Sequence, residues 1–313
     1  ALQVAMMGLG LKPGDEVITA DFTFAATVEV IALLGLTPVL VDVLPDTFNI
    51  DPDAIAKAIT PNTKAIVPVH LFGQVADMDR IMDIAQKHNL FVIEDNAQGI
   101  GATHTAAAGT KVKTGGIGHA GSTSFFPSKN LGCYGDGGAI FTNDYELAHT
   151  IRGIVNHGMY KRYHHDVVGV NSRLDSLQAV VLNEKLKLLD FYNERRKWAA
   201  IRYSQLLKDH PKIETPVTSG DCDSHVYHQY TLKIVGADRD ALVQYLQQND
   251  IPCGVYYPIP LHLQKAYVDT RYKEEDFTVT NQLIDEVISL PMHSELDEDQ
   301  IQFICKTIEA FLD

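Results

Sequence analysis

The chain has 313 residues, 45% hydrophobic and 21% charged, the balance of a globular protein long enough for two domains and a substantial core. A formal net charge of −14 argues against nucleic acid or an anionic membrane surface as the main partner, and leaves room for a phosphorylated small molecule at a local basic cluster. Cys133, Cys222, Cys253 and Cys305 form no C-x-x-C pair and have no histidine at zinc-finger spacing, so the expectation is free thiols in a reducing, cytoplasmic setting and no metal site.

No apolar run approaches the length of a membrane span. The opening ALQVAMMGLGL lacks a basic flank and a cleavage site and reads as the end of a helix stopped by Gly10 and Pro13. It starts without Met and inside an element, so further residues are expected before it. From Lys12 onward short β-rich runs alternate with helical ones. The sequence predicts strands at 16–21, 37–43, 63–73 and 90–98, with helices at 23–35, 52–59 and 77–89 between them. Asp51-Pro52 has the pattern of an N-cap followed by proline at the first helical position. TSFFP and GGAIFTN continue the strand series, and 104–116 reads as a small-residue loop. Continuous β-branched runs separated by amphipathic helices indicate an α/β fold, with a mostly parallel central sheet and helices on both faces. Such sheets bind ligands at the carboxyl ends of their strands, where Asp21, Asp42, Asp95 and Lys129 fall.

After Asp144 the character changes. A helix at 145–158 leads into the basic, aromatic stretch KRYHHDVVGVNSR, and a long helix is predicted over 174–208. Strands at 229–235 and 252–257 then alternate with helices at 239–249 and 277–289, and a last helix opens at Asp297 with Gln300 in the reciprocal capping position. The expected organisation is a large domain over 1–190 and a smaller C-terminal α+β domain over 191–313, joined by the long helix.

The most informative stretch is STSFFPSKNLGCYGDGG, Ser122 to Gly138. An apolar run halts at Pro127 and delivers Lys129 into a loop of Ser, Asn and Gly. A lysine at the end of a buried strand can become a nucleophilic amine, because partial desolvation lowers its pKa. A solvated lysine in a turn is the ordinary alternative. Asp95 closes the buried run FVIED, where an unpaired carboxylate is costly unless a cation faces it or it caps the next turn. A pyridoxal phosphate enzyme needs both: a lysine for the aldehyde, and a carboxylate to keep the ring nitrogen protonated.

VIEDNAQGIGA, followed about thirty residues later by TSFFPSKNLGCYGDGGAIFTND, resembles the DegT/DnrJ family of sugar-nucleotide aminotransferases, of the aspartate aminotransferase-like fold type I. DFTFAATVEVIALLGLTPVLVDV, GVNSRLDSLQA and YPIPLHLQ extend the resemblance over essentially the whole chain. It implies that Lys129 is the cofactor-holding lysine and the acid–base group, that Asp95 partners the ring nitrogen, and that Gln98 bonds the ring hydroxyl. It further implies that Phe24 stacks on the ring, that Ser124 binds the phosphate, and that Asn171 reaches the phosphate from a neighbouring subunit, hence a homodimer with shared sites. A family branch that dehydrates instead of aminating has histidine in place of this lysine, so Lys129 points to amination. The Gly-Thr phosphate-binding turn of relatives would lie before Ala1, among the residues expected to precede this sequence.

The same resemblance implies a nucleotide-linked keto sugar as acceptor and glutamate as amino donor. The sequence is most similar to aminotransferases of the 3-keto form of UDP-N-acetylglucosaminuronate. Their usual His-Tyr before Pro-Ile-Pro is Tyr256-Tyr257 here. Arg173, Tyr256, Tyr257 and His262 are the implied substrate contacts, with Lys161–His165 as a basic clamp for a diphosphate or sugar carboxylate. Alternatives are a dTDP- or GDP-linked 6-deoxy keto sugar, a lyase or desulfurase using Cys133, or a non-catalytic regulatory member of the fold.

Overall fold

Alternation along the strands decides the architecture. In β1 (Glu16–Ala20), Val17 and Ile18 point to opposite faces and both are fully buried; Ala65 and Ile66 do the same in β3 (Thr63–Val67). A sheet buried on both faces needs an apolar layer on each side. One layer contains Ile18, Ile66, Met78 and Ile81, and the other Val17, Ala65, Ile93, Ile151 and Met6. In this computed structural model, which describes residues 1–221 and 223–313, the six-stranded sheet has the order β2-β1-β3-β4-β7-β8. Here β2 is Thr37–Val41, β4 Phe91–Asp95, β7 Ala120–Ser124 and β8 Gly138–Phe141. All neighbours are parallel except β8, which runs antiparallel to β7 at the edge.

Helices α1 (Leu2–Gly8), α2 (Ala26–Leu33), α3 (Pro52–Ala58), α4 (Met78–His88) and α5 (Tyr145–Ile154) cover the sheet. Asp51 caps α3 through Asp53 N at 2.8 Å, with Pro52 in the first turn as its sequence requires. The stretch expected as a loop at 104–116 instead contains a short hairpin, β5 (Thr103–Thr105) with β6 (Lys111–Lys113). A second hairpin, β9 (Met159–Lys161) with β10 (His164–His165), presents the basic stretch to solvent.

The long helix is two helices, α6 (Ser176–Leu186) and α7 (Leu189–Leu207), broken at Leu188. The start of α7 shares the partners of α6, and the rest of it has others. Leu182 and Leu189 turn toward Phe125, Leu131 and Cys133 under the Lys129 loop, whereas Ala199, Ala200, Tyr203 and Leu207 enter a separate core. That second core lies between α7, α8 (Arg239–Gln248), α10 (Glu298–Leu312) and an antiparallel sheet β11-β12-β13 (Ile213–Glu214, Tyr230–Ile234, Val287–Leu290). Two expectations fail there. Residues 252–257 make only an isolated bridge, Gly254 to Ser289. The helix predicted over 277–289 stops as α9 (Thr278–Glu286), and VISL continues as β13, because a short apolar run buried on every side fits either period. Asp297 and Gln300 form the expected capping box of α10. Cys133, Cys253 and Cys305 are free thiols, and Cys222 lies outside the described residues. Among the described residues no helix is long and apolar enough to cross a membrane.

Candidate active site

The carboxyl ends of the parallel strands open onto a cleft of about 620 Å³ lined by Phe24, Asp95, Gln98, Ser124, Lys129, Asn171 and Arg173, among others. That size suits a small-molecule site. Asp95, the last residue of β4, is 4% exposed. Its Oδ2 accepts from Thr27 Oγ1 at 2.7 Å and its Oδ1 from Ala97 N at 3.1 Å. Its main chain is clamped by Asp95 N to Pro68 O and His70 N to Asp95 O, at 2.9 and 3.1 Å. Among the described residues no basic side chain forms a direct ion pair with Asp95. A buried carboxylate aimed into a cleft calls for a cation there.

Lys129 follows the turn closed by its own N–H to Phe126 O at 2.9 Å, and buried Phe125, Leu131 and Cys133 anchor the loop on either side. Burial lowers the Lys129 pKa, an effect Asp95 partly offsets by attraction. The single Cys133 S–H proton is shared between the carbonyls of Phe125 and Gly135, each 3.0 Å from Sγ, and is spent in that loop.

Gln98 Oε1 accepts from Phe72 N at 2.6 Å, and its Nε2 donates to the Tyr257 hydroxyl at 3.1 Å, leaving one amide hydrogen for a ligand. Tyr257 is deeply placed, its hydroxyl pKa raised by burial, with its ring 6.1 Å from those of Phe22 and Phe24. Phe24 is 58% exposed on the cleft wall and so is free to stack on a flat ligand. At the end of β7, Ser122 and Thr123 donate their hydroxyls to the carbonyls of Glu94 and Asn96, whereas Ser124 only accepts, from Phe126 N at 3.2 Å. The Ser124 proton is thus available for an anion.

Asn171 pairs with Asn156, and Arg173 donates to the Asn156 side chain at 2.8 Å, so both stand exposed at the rim of the cleft on one anchored segment. Tyr256 and Tyr257 both lie outside the residues lining the cleft, Tyr256 exposed and Tyr257 joined to the lining through its hydrogen bond with Gln98. The structure does not bring His262 to the cleft. Its main-chain N and its Nδ1 both bond Asp21, at 2.7 Å each, and its ring stacks on Phe277 at 4.3 Å. Burial pushes the Asp21 carboxyl up against the opposing pull of His262. Asp42, also at a strand end, caps α9 through Val279 N and Thr280 N and Oγ1. Neither carboxylate is left for a ligand.

Sequence reasoning missed Thr27 and the pair His70–Glu94. Glu94 is fully buried and accepts from His70 Nε2 at 3.0 Å, Gly115 N at 2.6 Å, and Ile117 N and Gly118 N at 2.7 Å each. An acidic residue inside the apolar run FVIED was the available signal.

Comparisons with known proteins identify the family and its relatives. The DegT/DnrJ/EryC1/StrS aminotransferase family matches residues 1–309. The chain is 47% identical over 308 residues to the UDP-2-acetamido-2-deoxy-3-oxo-D-glucuronate aminotransferase of Pseudomonas aeruginosa, covering 98% of this chain and 82% of that one. It is 46% identical over 313 residues to the pleiotropic regulatory protein of Geobacillus stearothermophilus, covering 99% and 82%. The structure of NtdA from Bacillus subtilis with bound cofactor PMP superposes with a TM-score of 0.90 at 34% identity, covering 99% of this chain and 70% of that one.

Proposed function

The chain belongs to the DegT/DnrJ/EryC1/StrS aminotransferase family, and we propose that it moves an amino group from glutamate to the keto carbon of a UDP-linked 3-keto N-acetylhexosamine uronate. It is a pyridoxal phosphate-dependent enzyme of nucleotide-linked sugars. The observation that carries the proposal is a partly desolvated lysine sharing a cleft with a buried carboxylate that lacks an ion-pair partner among the described residues.

The donor set fits the cofactor. When bound, pyridoxal phosphate supplies an aldehyde carbon and a cationic ring that accepts electron density. Asp95 is the counter-charge for a ring nitrogen, fixed on both oxygens by Thr27 and Ala97. Gln98 presents its remaining amide hydrogen, Phe24 offers a stacking face, and the Ser124 hydroxyl donates to a phosphate. Lys129 Nζ is the group that would hold the aldehyde, and as a free amine it would take and return a proton at the reacting carbon in both half-reactions. The lowered pKa keeps a larger share of that amine unprotonated near neutrality.

Arg173, Tyr256 and Tyr257 are the substrate contacts in this reading, with the basic hairpin β9–β10 close to Arg173 in sequence. His262 supports the wall through Asp21. We further infer a homodimer in which Asn171 reaches a neighbouring site. In support, α6 leaves Leu177 80% and Val180 63% exposed, and Tyr134, bound to α6 by its N–H to Gln178 Oε1, is exposed beside them. An apolar helix face of that kind needs a cover. The second core, drawn wholly from residues beyond 191, supports a small domain over 191–313 beside a large one over 1–190, with α7 beginning at the junction and Val226, Leu283 and Val287 packing back onto the large one. The setting is cytoplasmic synthesis of a cell-surface polysaccharide.

The test supplies the protein with pyridoxal phosphate, glutamate and a panel of UDP-, dTDP- and GDP-linked keto sugars, and follows amino-sugar formation by mass spectrometry. Preferred turnover of the UDP-3-keto uronate supports the proposal. Higher kcat/KM on a 6-deoxy dTDP or GDP sugar overturns the substrate, and no amination of any sugar overturns the enzymatic reading in favour of a regulatory one.

A further inference from the structure

Lys129 is followed by Asn130, whose side chain is buried and has three partners. Its Nδ2 donates to Asn193 Oδ1 at 2.8 Å and to Val226 O at 3.1 Å, and its Oδ1 lies 3.3 Å from His228 Nδ1. Asn193 Nδ2 donates onward to Ile100 O at 3.2 Å. Two main-chain carbonyls, which can only accept, therefore fix the orientation of both amides. With Asn130 Nδ2 committed to Val226 O, its oxygen must face His228. The histidine proton then sits on Nδ1, and Nε2 keeps its lone pair. Gly101 gives Asn193 its room, since a Cβ there would meet Nδ2 at 2.4 Å.

The same imidazole stands among positive charges. Arg196, on the face of α7 that carries Asn193, donates Nη1 to the carbonyls of Tyr227, His228 and Met292 at 3.1, 3.2 and 3.1 Å. The charged groups acting on His228 are Lys129 from the loop and Arg196 from α7, and Lys129 in turn faces Asp95 at the end of β4. Burial first, then those two cations, hold His228 well below its ordinary pKa.

We propose that His228 is a positioning residue for Lys129: through Asn130 it ties the lysine to α7 and to the segment before β12, and it does so as a neutral imidazole protonated on Nδ1. A positively charged or apolar side chain at this place would either repel the amine or leave the Asn130 oxygen without a donor. The inference rests on Lys129 being the cofactor-holding lysine.

Two measurements test it. In the first, the full-length protein is labelled with 15N-histidine and titrated between about pH 5.5 and 8, and the His228→Gln spectrum identifies the His228 signals. A neutral ring with the proton on Nδ1 throughout is expected. A proton on Nε2, or conversion to the cation within that range, overturns the proposal. The second follows the pH midpoint of the visible band of the pyridoxal phosphate-loaded protein. His228→Leu removes the donor and deepens desolvation, so the midpoint falls by about half a unit or more, whereas His228→Gln, which still donates, restores it. Midpoints unchanged in both variants reduce His228 to packing and overturn the proposal. If the unsubstituted protein forms no band, the assignment of Lys129 falls first, and the role of His228 falls with it.

Discussion

Glu94→Gln is the substitution in which fold and site meet most directly. Four donors converge on the Glu94 carboxylate: His70 Nε2 and Gly115 N on Oε2, and Ile117 N and Gly118 N on Oε1. Because His70 Nδ1 accepts from Ala76 N at 3.2 Å, its proton is on Nε2 and the ring cannot reverse its role. Glutamine has the same shape but turns one oxygen into a donor, so whichever way it sits two donors face an NH₂ group. At about 1.5–3 kcal/mol for each hydrogen bond to a charged group, two lost bonds give a destabilisation of about 3–6 kcal/mol. The assay is chemical unfolding of the cofactor-free protein at neutral pH, followed by circular dichroism. A loss under about 1 kcal/mol refutes the reasoning, because it falls below even one such bond. The pH dependence adds a sign. Burial opposes ionisation of Glu94, yet His70 and the amides of Gly118 and Gly115 outweigh it and hold the carboxyl below its ordinary value of 4.5. Its contribution is therefore complete above pH 4.5 and disappears as pH falls through the lower folded-state value, so the gap between the two proteins narrows on acidification. Since His70 N also holds Asp95 O, catalytic activity falls along with stability.

Three further outcomes are expected. Thr27→Val keeps the volume and removes one donor to Asp95; losing about 1.5–3 kcal/mol of charged hydrogen bond weakens pyridoxal phosphate binding by about tenfold or more, and an unchanged Kd in equilibrium dialysis counts against the site. Tyr257→Phe frees Gln98 Nε2 from its partner and costs about 0.5–1.5 kcal/mol in cofactor binding, smaller than the Thr27 effect; a larger loss in the same dialysis assay contradicts the ranking. Leu177→Glu on the exposed face of α6 converts the dimer to a monomer in sedimentation velocity, with loss of activity. A monomeric unsubstituted protein, or an active monomeric variant, contradicts shared sites.

What the sequence disclosed and what it hid divide along physical lines. The β-branched runs that became β1 to β4 carry their own period, and Asp51-Pro52 and Asp297 with Gln300 are caps whose partners lie within three residues. That Lys129, Asp95, Gln98, Ser124 and Phe24 share one cleft was legible, because Lys129 and Asp95 fall at strand ends and the family resemblance marks the other three. The break at Leu188 was not, because it re-aims the chain from α6 and the first turns of α7, packed against the Lys129 loop, to the rest of α7 in the second core. VISL was misread because full burial erases the difference between the two periods. His262 looked like a ligand contact until Asp21, 241 positions away, was seen to take both of its donors. The chain from His228 through Asn130 to Asn193 joins three distant segments, and no spacing in the sequence marks it.

The central claim is that Lys129 and Asp95 form a working pyridoxal phosphate site. It is tested most directly by the absorption spectrum of the full-length protein with pyridoxal phosphate, before and after glutamate, beside Lys129→Ala. The account predicts a visible band that glutamate bleaches in the unsubstituted protein, and no such glutamate-dependent change in the variant. Bleaching that survives Lys129→Ala, or no band in the unsubstituted protein at saturating pyridoxal phosphate, would contradict it.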